Sequence, residues 1–294
     1  MAAVTHSPLH WIALAFAALL GSMPYAAHGD WTFGTDAYLR HDNNVGNAAS
    51  ADDIVPDTII GAQLSMFELY PLADGYSLIV DADLAGESYN RLAGLRNVSL
   101  GGTLALKKKW GLGAYAPWIR AGVSATRSEY RDHYRNAWIY RATLSGGRRI
   151  DERWNLWAEY GFDRRAAKSS DVVTPGISGD AYSQVNHHLL LNAEYALTER
   201  VYASVSALAR HGDVVTTYFG YQAVVVAAIA EDPTFGDAYA YKVTGNTYGI
   251  KLGLGFAPTP HLLLGCGFAR YDTHTDDGDV YLKSMPEITF DYRF

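Results

Sequence analysis

Three acidic residues, Asp81, Asp83 and Glu87, are separated by even numbers of positions in one short segment of the chain. Side chains at even spacings on a β-strand point to the same face, so these carboxylates would form one acidic strip. Such a strip could attract a cation, or basic neighbours could neutralise it; we favour the neutralised cluster. A glycosidase pair would also need carboxylates at a defined separation, which nothing in the sequence sets.

Charged residues of both signs recur on the polar face of the neighbouring segments. A charge that leaves bulk water needs either a water-filled space or an opposite charge. In the hairpin that turns near Ile150, Arg141 falls close to the levels of Glu159 and Asp163, so we expect an ion-paired cluster there. The residues predicted to share this polar face are Asp81, Asp83, Glu87, Arg120, Arg141, Glu159, Asp163, Arg165 and Glu194.

The spacing of the histidines gives little support for an enzyme site. His187 and the hydroxyl of Ser183 share a strand face but are four residues apart, about 13 Å at the rise of a strand. The sequence holds neither a GxSxG nucleophile motif nor an HExxH zinc motif. We therefore predict no catalytic residue, no metal ligand and no cofactor.

Twelve segments alternate between apolar and polar residues over the length of a strand. Short connections rich in turn-forming residues alternate with long polar ones, of which the longest are His41–Pro56, Lys168–Ala181 and Asp213–Ala240. This alternation is typical of a membrane barrel with short periplasmic turns and long outer loops. The predicted strands are 31–40, 57–70, 76–89, 97–109, 115–128, 136–149, 154–166, 182–196, 201–212, 241–257, 261–272 and 279–294.

Parity sorts each strand into an apolar and a polar face. In the segment from Trp154, residues Trp154, Leu156 and Phe162 fall on one face, while Glu159 and Asp163 fall on the other. Parity alone does not say which face points inward, because a soluble barrel has the inverse arrangement. Aromatic residues near the strand ends predict two interfacial girdles. One comprises Tyr70, Tyr76, Trp110, Tyr115, Trp154 and Phe294, and the other Tyr130, Tyr134, Trp138, Tyr182 and Tyr241.

The first 29 residues contain no Lys, Arg, Asp or Glu, and they include an apolar run from Trp11 to Leu20. That run is too short to span a bilayer as a helix and is followed by the small-x-small triplet Ala27-His28-Gly29. We predict that residues 1–29 are a cleaved signal peptide and that 30–294 form a single barrel domain. The only cysteine, Cys266, is far from the predicted cleavage point, which argues against a lipoprotein.

The last segment, Val280–Phe294, carries Ile288, Phe290, Tyr292 and Phe294 on one face and ionic residues on the other. A final strand that ends on an aromatic residue resembles the closing strand of Gram-negative outer-membrane β-barrels. The resemblance is to that superclass and not to one family. It implies that Phe290, Tyr292 and Phe294 are an assembly signal for the barrel-assembly machinery and that the protein lies in the outer membrane. The predicted fold class is all-β: one antiparallel transmembrane barrel of about 12 strands.

The favoured function is a narrow channel for small hydrophilic solutes, with the polar face lining the lumen. A plugged barrel that binds partners through its outer loops is a second possibility. The third is a lipid-acting enzyme, because a twelve-stranded barrel resembles outer-membrane phospholipase A, although that family's motif is not found here. A formal charge of −7 argues against nucleic acid as a partner.

Two further features concern the outer end of the barrel. The turn at Leu197–Arg200 brings His187 opposite His211 on the apolar face, with Arg164 at a similar height, which predicts a contact with lipopolysaccharide phosphate. The apolar run Ala223–Ala230 lies within a long outer loop. That run is expected either to fold into the mouth as a constriction or to extend the flanking strands above the membrane.

Overall fold

Alternating apolar and polar residues form thirteen β-strands in the computed structural model, which describes residues 31–221 and 226–294. The predicted signal peptide lies outside the described residues. Residues from Trp31 onward form one compact unit. The strands are β1 (Thr32–Asp42), β2 (Asp57–Pro71), β3 (Tyr76–Tyr89), β4 (Asn97–Lys109), β5 (Trp118–Tyr130), β6 (Ala137–Arg149), β7 (Trp154–Ala167), β8 (Gln184–Ala196), β9 (Val201–Phe219), β10 (Ala228–Glu231), β11 (Ala238–Thr259), β12 (Leu262–Thr275) and β13 (Val280–Arg293).

Antiparallel pairing of neighbouring strands closes the sheet on itself. The last strand, β13, pairs with β1, and β9 pairs with β11, so twelve strands form a continuous barrel. The thirteenth strand, β10, is a four-residue segment that pairs with the start of β11 and forms a parallel bridge from Ala228 to Ser178. The closed antiparallel barrel of twelve strands predicted from the sequence is therefore confirmed.

The helical elements of the described chain are single 3-10 turns in the connections. They span Ala51–Asp53, Ala73–Gly75, Ala93–Leu95, His133–Arg135 and Pro233–Phe235. Within the described residues, no helix has the length and hydropathy needed to cross a membrane.

The connections at one end are the outer loops, numbered here in chain order. They comprise residues 43–56 (loop 1), 90–96 (loop 2), 131–136 (loop 3), 168–183 (loop 4), 220–237 (loop 5) and 276–279 (loop 6). The connections at the other end, residues 72–75, 110–117, 150–153, 197–200 and 260–261, are shorter on average.

Most predicted strand limits agree with the structure to within two residues, but four do not. Strand β5 begins at Trp118 and not at residue 115, because Pro117 has no N–H to give to the ladder. Strand β12 continues to Thr275 and not to residue 272. The other two differences flank loop 5. Strand β9 continues to Phe219 and β11 begins at Ala238, so much of the segment predicted as a loop is paired strand.

The apolar parity of the strands forms an exposed outer surface. Leu100 is 63% exposed and Ile288 is 62% exposed, and many other large apolar side chains are exposed in the same way. A surface of this kind would be costly in water, and it matches the lipid-facing band of a membrane barrel.

The outer aromatic girdle differs from the prediction. Tyr182 and Tyr241 are buried among the loops, and Tyr130 lies beneath the Arg165 guanidinium on the opposite face of the wall. Trp138 is exposed as predicted, and Tyr140 and Tyr248 are exposed near the same end of their strands. Tyr182 belongs to an outer loop that folds over the mouth, whereas Tyr130 on β5 and Tyr241 on β11 have the parity of the polar face of their strands.

Candidate functional site: the barrel interior and its loop cap

The polar face of the strands is the concave, inner face of the barrel. Several of its side chains contact each other across an intervening strand, which side chains on the convex face would diverge too far to do. Arg120 on β5 reaches Glu159 on β7 with an N···O distance of 3.7 Å. The intervening residue on β6 is Ser145, which is paired with both. A short side chain in the middle strand thus leaves room for the ion pair to pass over it.

The same arrangement joins β1 to β3. Tyr38 and Glu87 are both paired with Gly61 of β2, and the Tyr38 hydroxyl donates a hydrogen bond to the Glu87 carboxylate. Arg40 adds an ion pair to Glu87 at 3.3 Å. A Cβ atom at position 61 would lie 2.2 Å from the Tyr38 ring, so glycine is required for this close approach. Similar contacts over a small residue join Arg293 to Ser65 and Lys251 to Glu287.

A cluster of charged residues lies on the wall formed by β6, β7 and β8. Arg141 pairs with Asp163, whose other carboxylate oxygen is 3.0 Å from His188 Nδ1. His188 Nε2 is also 3.7 Å from Glu159. Because Arg120 contacts Glu159, two arginines, two carboxylates and one imidazole form a connected network. The structure therefore brings together the three residues expected in an ion-paired cluster, and His188 joins them.

The acidic strip on β3 divides into two parts. Glu87 is bound by Arg40 and Tyr38, whereas Asp81 and Asp83 form no ion pair with any residue that the structure describes. Asp83 faces Gly101 of β4, and a Cβ atom there would lie 2.6 Å from its Oδ1. The strip is thus neutralised at its outer end only.

Two other predicted inner residues are held by uncharged groups. Glu194 accepts hydrogen bonds from the amides of Asn155 (2.9 Å) and Asn192 (3.2 Å). The Arg165 guanidinium donates to the carbonyl of Arg135 in loop 3 and lies 5.2 Å from the ring centroid of Tyr130. Arg165 thereby links the upper wall to the outer loops.

Loop 5 crosses the outer mouth of the barrel. It begins and ends on β9 and β11, which are about six strands from β3 and β4 and therefore lie on the far side of a twelve-stranded barrel. Phe235 nevertheless packs with Leu92 and Leu95 of loop 2, which joins β3 to β4. Thr234 approaches Gly94 so closely that a Cβ atom there would lie 2.2 Å from the Thr234 hydroxyl. These contacts can form only if loop 5 extends across the opening.

A buried ion cluster fixes loop 5 to loop 3. Arg135 donates to Asp232 at 2.6 Å and is 3.5 Å from Asp132. The Arg135 side chain is 14% exposed and that of Asp232 is 0% exposed, so both charges are largely removed from water. Burial by itself would lower the pKa of Arg135, but the adjacent Asp232 carboxylate more than offsets it, and the pKa is raised. The guanidinium lies 4.5 Å from the ring centroid of Tyr182, which encloses it from loop 4.

Loops 1 and 4 complete this cap. In loop 1, the carbonyl oxygen of Gly46 accepts a hydrogen bond from the backbone N–H of Thr217 (2.8 Å). The side-chain amide of Asn47 donates a hydrogen bond to the carbonyl of Val215 (2.9 Å). Strand β10 is fully buried at Ala228 and Ala230, which pack against Ala181 and Tyr182 of loop 4. We refer to the interlocked loops 1 to 5 as the loop cap. Within the described residues, the flanking strands β9 and β11 extend beyond their predicted limits, as one of the two expectations for the apolar run had it, and Ala228 and Ala230 of that run are buried in the loop cap.

The sequence interpretation missed the cluster of Arg135, Asp132 and Asp232. These residues lie in polar loops, where a charge is ordinarily solvated, and Asp232 is about 100 positions from the other two in the sequence. The available signal was weak: Glu231-Asp232-Pro233 follows the apolar run directly, which places an acid beside a segment that must be buried.

The three residues predicted to contact lipopolysaccharide, Arg164, His187 and His211, are all exposed. His187 is paired with His211 in the register of β8 and β9, as the turn geometry predicted. Arg164 lies opposite Val185, two positions before His187 on β8. At the other end, Phe290 and Phe294 are exposed on the outer face of the closing strand, and the Tyr292 and Phe294 rings are 5.0 Å apart.

Comparison with known proteins agrees with this architecture. No protein-family model matches the chain, and no curated protein matches it by sequence. Among solved structures, it is similar to an outer membrane channel from Pseudomonas putida F1, with a TM-score of 0.59 and 15% identity over 93% of this chain and 98% of that chain. The NanC porin aligns at a TM-score of 0.48 and 10% identity over 87% of this chain and 98% of that one. The likeness to the channel from Pseudomonas putida F1 shows that the chain has the fold of an outer-membrane β-barrel, and the fold predicted from the resemblance is confirmed.

Proposed function

We propose that the protein is an outer-membrane channel that passes small hydrophilic solutes through a narrow lumen, with access from outside limited by the loop cap. The observation that carries this proposal is the inner wall, which is polar and charged along the barrel. Nine predicted residues line it in the proposal: Asp81, Asp83, Glu87, Arg120, Arg141, Glu159, Asp163, Arg165 and Glu194.

The pattern of ion pairs supports a hydrated lumen. A closed structural core would favour apolar packing, because a desolvated ion pair is often less stable than an apolar replacement of the same volume. The inner wall instead keeps many charges, and Asp81 and Asp83 form no direct ion pair with any of the described residues. Unpaired carboxylates of this kind persist where water or a solute solvates them.

Conductance across a planar bilayer tests the proposal. We expect the purified protein to give small, discrete conductance steps, and the double variant Asp81→Asn/Asp83→Asn to shift the reversal potential in a KCl gradient toward anion preference. The matched control is Glu152→Gln/Glu199→Gln, which removes the same charge from exposed turns. Equal shifts in the two variants would show that Asp81 and Asp83 do not face the conducting path.

The loop cap favours a second candidate, a plugged barrel that acts through its outer surface. Loops 1 to 5 bury side chains and bind one another, as a fixed plug would. If neither the wild type nor Arg135→Met, which removes the arginine that fixes loop 5 to loop 3, conducts ions, this candidate is favoured over the channel.

The enzyme alternative has little support in the outer-surface contacts. His187 Nδ1 is bound by the Tyr160 hydroxyl at 2.7 Å and His211 Nδ1 by Asn246 at 3.1 Å, so neither faces an aliphatic hydroxyl nucleophile. His41 Nδ1 does lie 3.2 Å from the Thr58 hydroxyl on the outer surface. A phospholipid-hydrolysis assay of the wild type against Thr58→Val tests that pair, and we expect no turnover from either.

A further inference from the structure

We propose that Arg164, His187 and His211 form a binding site for the phosphate group of an outer-leaflet glycolipid, on the outer face of β7, β8 and β9. The proposal depends on the membrane placement of the barrel and not on conduction through it.

The strand register brings the three side chains together. His187 and His211 are directly opposite each other on antiparallel strands, which places their Cβ atoms about 4.5–5.5 Å apart. Arg164 is opposite Val185 and therefore diagonal to His187 on the same face, about 7–8 Å away. A tetrahedral anion with several acceptor oxygens can contact groups at these separations simultaneously.

Within the described residues, hydrogen bonds hold each imidazole by its Nδ1 atom. His187 Nδ1 is hydrogen-bonded to the Tyr160 hydroxyl at 2.7 Å, and His211 Nδ1 donates to the Asn246 side-chain oxygen. The Phe162 ring, 5.1 Å from that of His187, further restricts the His187 imidazole. Neither Nε2 atom has a hydrogen-bond partner in the described part of the chain, and the rings do not have to be ordered when a ligand binds.

Arg164 has no hydrogen-bond or ion-pair partner among the described residues, although it is exposed on the apolar side of the wall. The nearest acid by register is Asp213, which belongs to the same outer face of β9. Its Oδ2 accepts the backbone N–H of Val185 at 2.8 Å, so this carboxylate is engaged by the backbone. An uncompensated guanidinium at this position favours an external anion.

The height of the site identifies the kind of anion. Arg164 is near the outer end of β7 and His187 is near the outer end of β8, and each lies four positions from loop 4. A cation costs several kcal/mol at the midplane of a bilayer but little at the interface, where lipid phosphates lie. In the outer leaflet of a Gram-negative outer membrane, those phosphates belong to lipopolysaccharide.

A third histidine supplies a matched control. The same row of paired residues continues from His211 through Asn246 to His274 on β12, which is also exposed. His274 is flanked on its own face by Asp272 and Asp276, and Asp272 already pairs with Arg270 at 3.5 Å. Carboxylates on both sides disfavour a phosphate there, so His274 resembles the site in position but not in charge.

The test measures binding of diphosphoryl lipid A to the purified, folded barrel. We expect Arg164→Gln/His187→Asn/His211→Asn to bind at least about fivefold more weakly than the wild type. His187→Asn/His211→Asn should lose part of the binding, because Arg164 remains to contact the phosphate. His274→Asn should bind like the wild type. Heat-modifiable migration of each variant verifies that the barrel is folded.

Three outcomes would overturn the proposal. The first is unchanged binding by the triple variant. The second is equal binding of dephosphorylated lipid A, which would show that the phosphate is not recognised. The third is equal binding of phosphatidylglycerol vesicles, which would show that any lipid phosphate is accepted and that the glycolipid is not preferred.

Discussion

Replacing Arg135 with methionine should release loop 5 from the mouth of the barrel. Methionine keeps much of the length of the arginine stem, and it removes the charged guanidinium that lies over the rings of Tyr182 and Phe235. Asp232 and Asp132 would then share a buried space with no arginine between them. The Asp232 carboxylate would keep the hydrogen bond from the Thr217 hydroxyl at 3.2 Å.

The magnitude follows from the burial of the pair. Removing one member of a buried ion pair costs about 3–5 kcal/mol, because the remaining charge is left without compensation. Asp232 is fully buried and its Oδ1 atom already has no hydrogen-bond partner among the described residues, so its environment offers little relief. A cost of this size raises the released fraction of the cap about 100- to several-thousand-fold. The barrel strands, which form their own ladders, should remain folded.

Two measurements report on the cap separately from the barrel. Single-channel conductance should rise in Arg135→Met, and amide hydrogen exchange should speed up in loops 3 and 5 with little change in the strands. Arg127→Met is the control: Arg127 pairs with Glu129 at 2.5 Å on the exposed surface, where such a pair contributes about 0–1 kcal/mol. It should leave both measurements unchanged.

A double variant separates charge from packing. Adding Asp232→Asn to Arg135→Met removes one uncompensated carboxylate, so it should slow exchange in loop 5 relative to Arg135→Met alone. The reasoning is refuted if Arg135→Met exchanges and conducts like the wild type. It is also refuted if the double variant is no better protected than the single one, because the effect would then come from lost packing.

Three further predictions concern assembly, processing and pH. Deleting Phe294 should impair barrel assembly more than Thr289→Ala; normal amounts of heat-modifiable protein in the outer membrane would show that this terminal residue is not a signal. Residues 1–29 should be absent from the mature protein, as amino-terminal sequencing would show, and a mature chain that keeps most of that segment would contradict this. The ion pair between Arg135 and Asp232 should persist between pH 7 and 9.5. The pKa of Arg135 is raised in the folded state, so its stabilisation is fully present below the unfolded-state pKa of arginine and is lost only as the pH rises through the folded-state pKa. Conductance that rises within that range would contradict it.

The alternation of residue types determined the barrel. Side chains on a strand alternate between its two faces, so the sequence of an amphipathic strand is enough to assign each residue to a face. Strand pairing is not needed for that assignment. Strands β3 and β4 accordingly have the predicted limits. Turn chemistry also set the register locally, as the opposition of His187 and His211 shows.

Tertiary structure alone decided what happens at the mouth. The contacts of the loop cap join residues far apart in the chain, such as Arg135 with Asp232 and Phe235 with Leu92, through loops that have no periodicity to read. Likewise, the length of β9 beyond residue 212 depends on its pairing with β11 and on the loops that bury both. A polar loop residue is ordinarily solvated, so its sequence gives little sign that closure of the barrel will bury it against a loop from the opposite wall. Local pattern therefore determined the wall, whereas the cap depends on which loops the closed wall brings together.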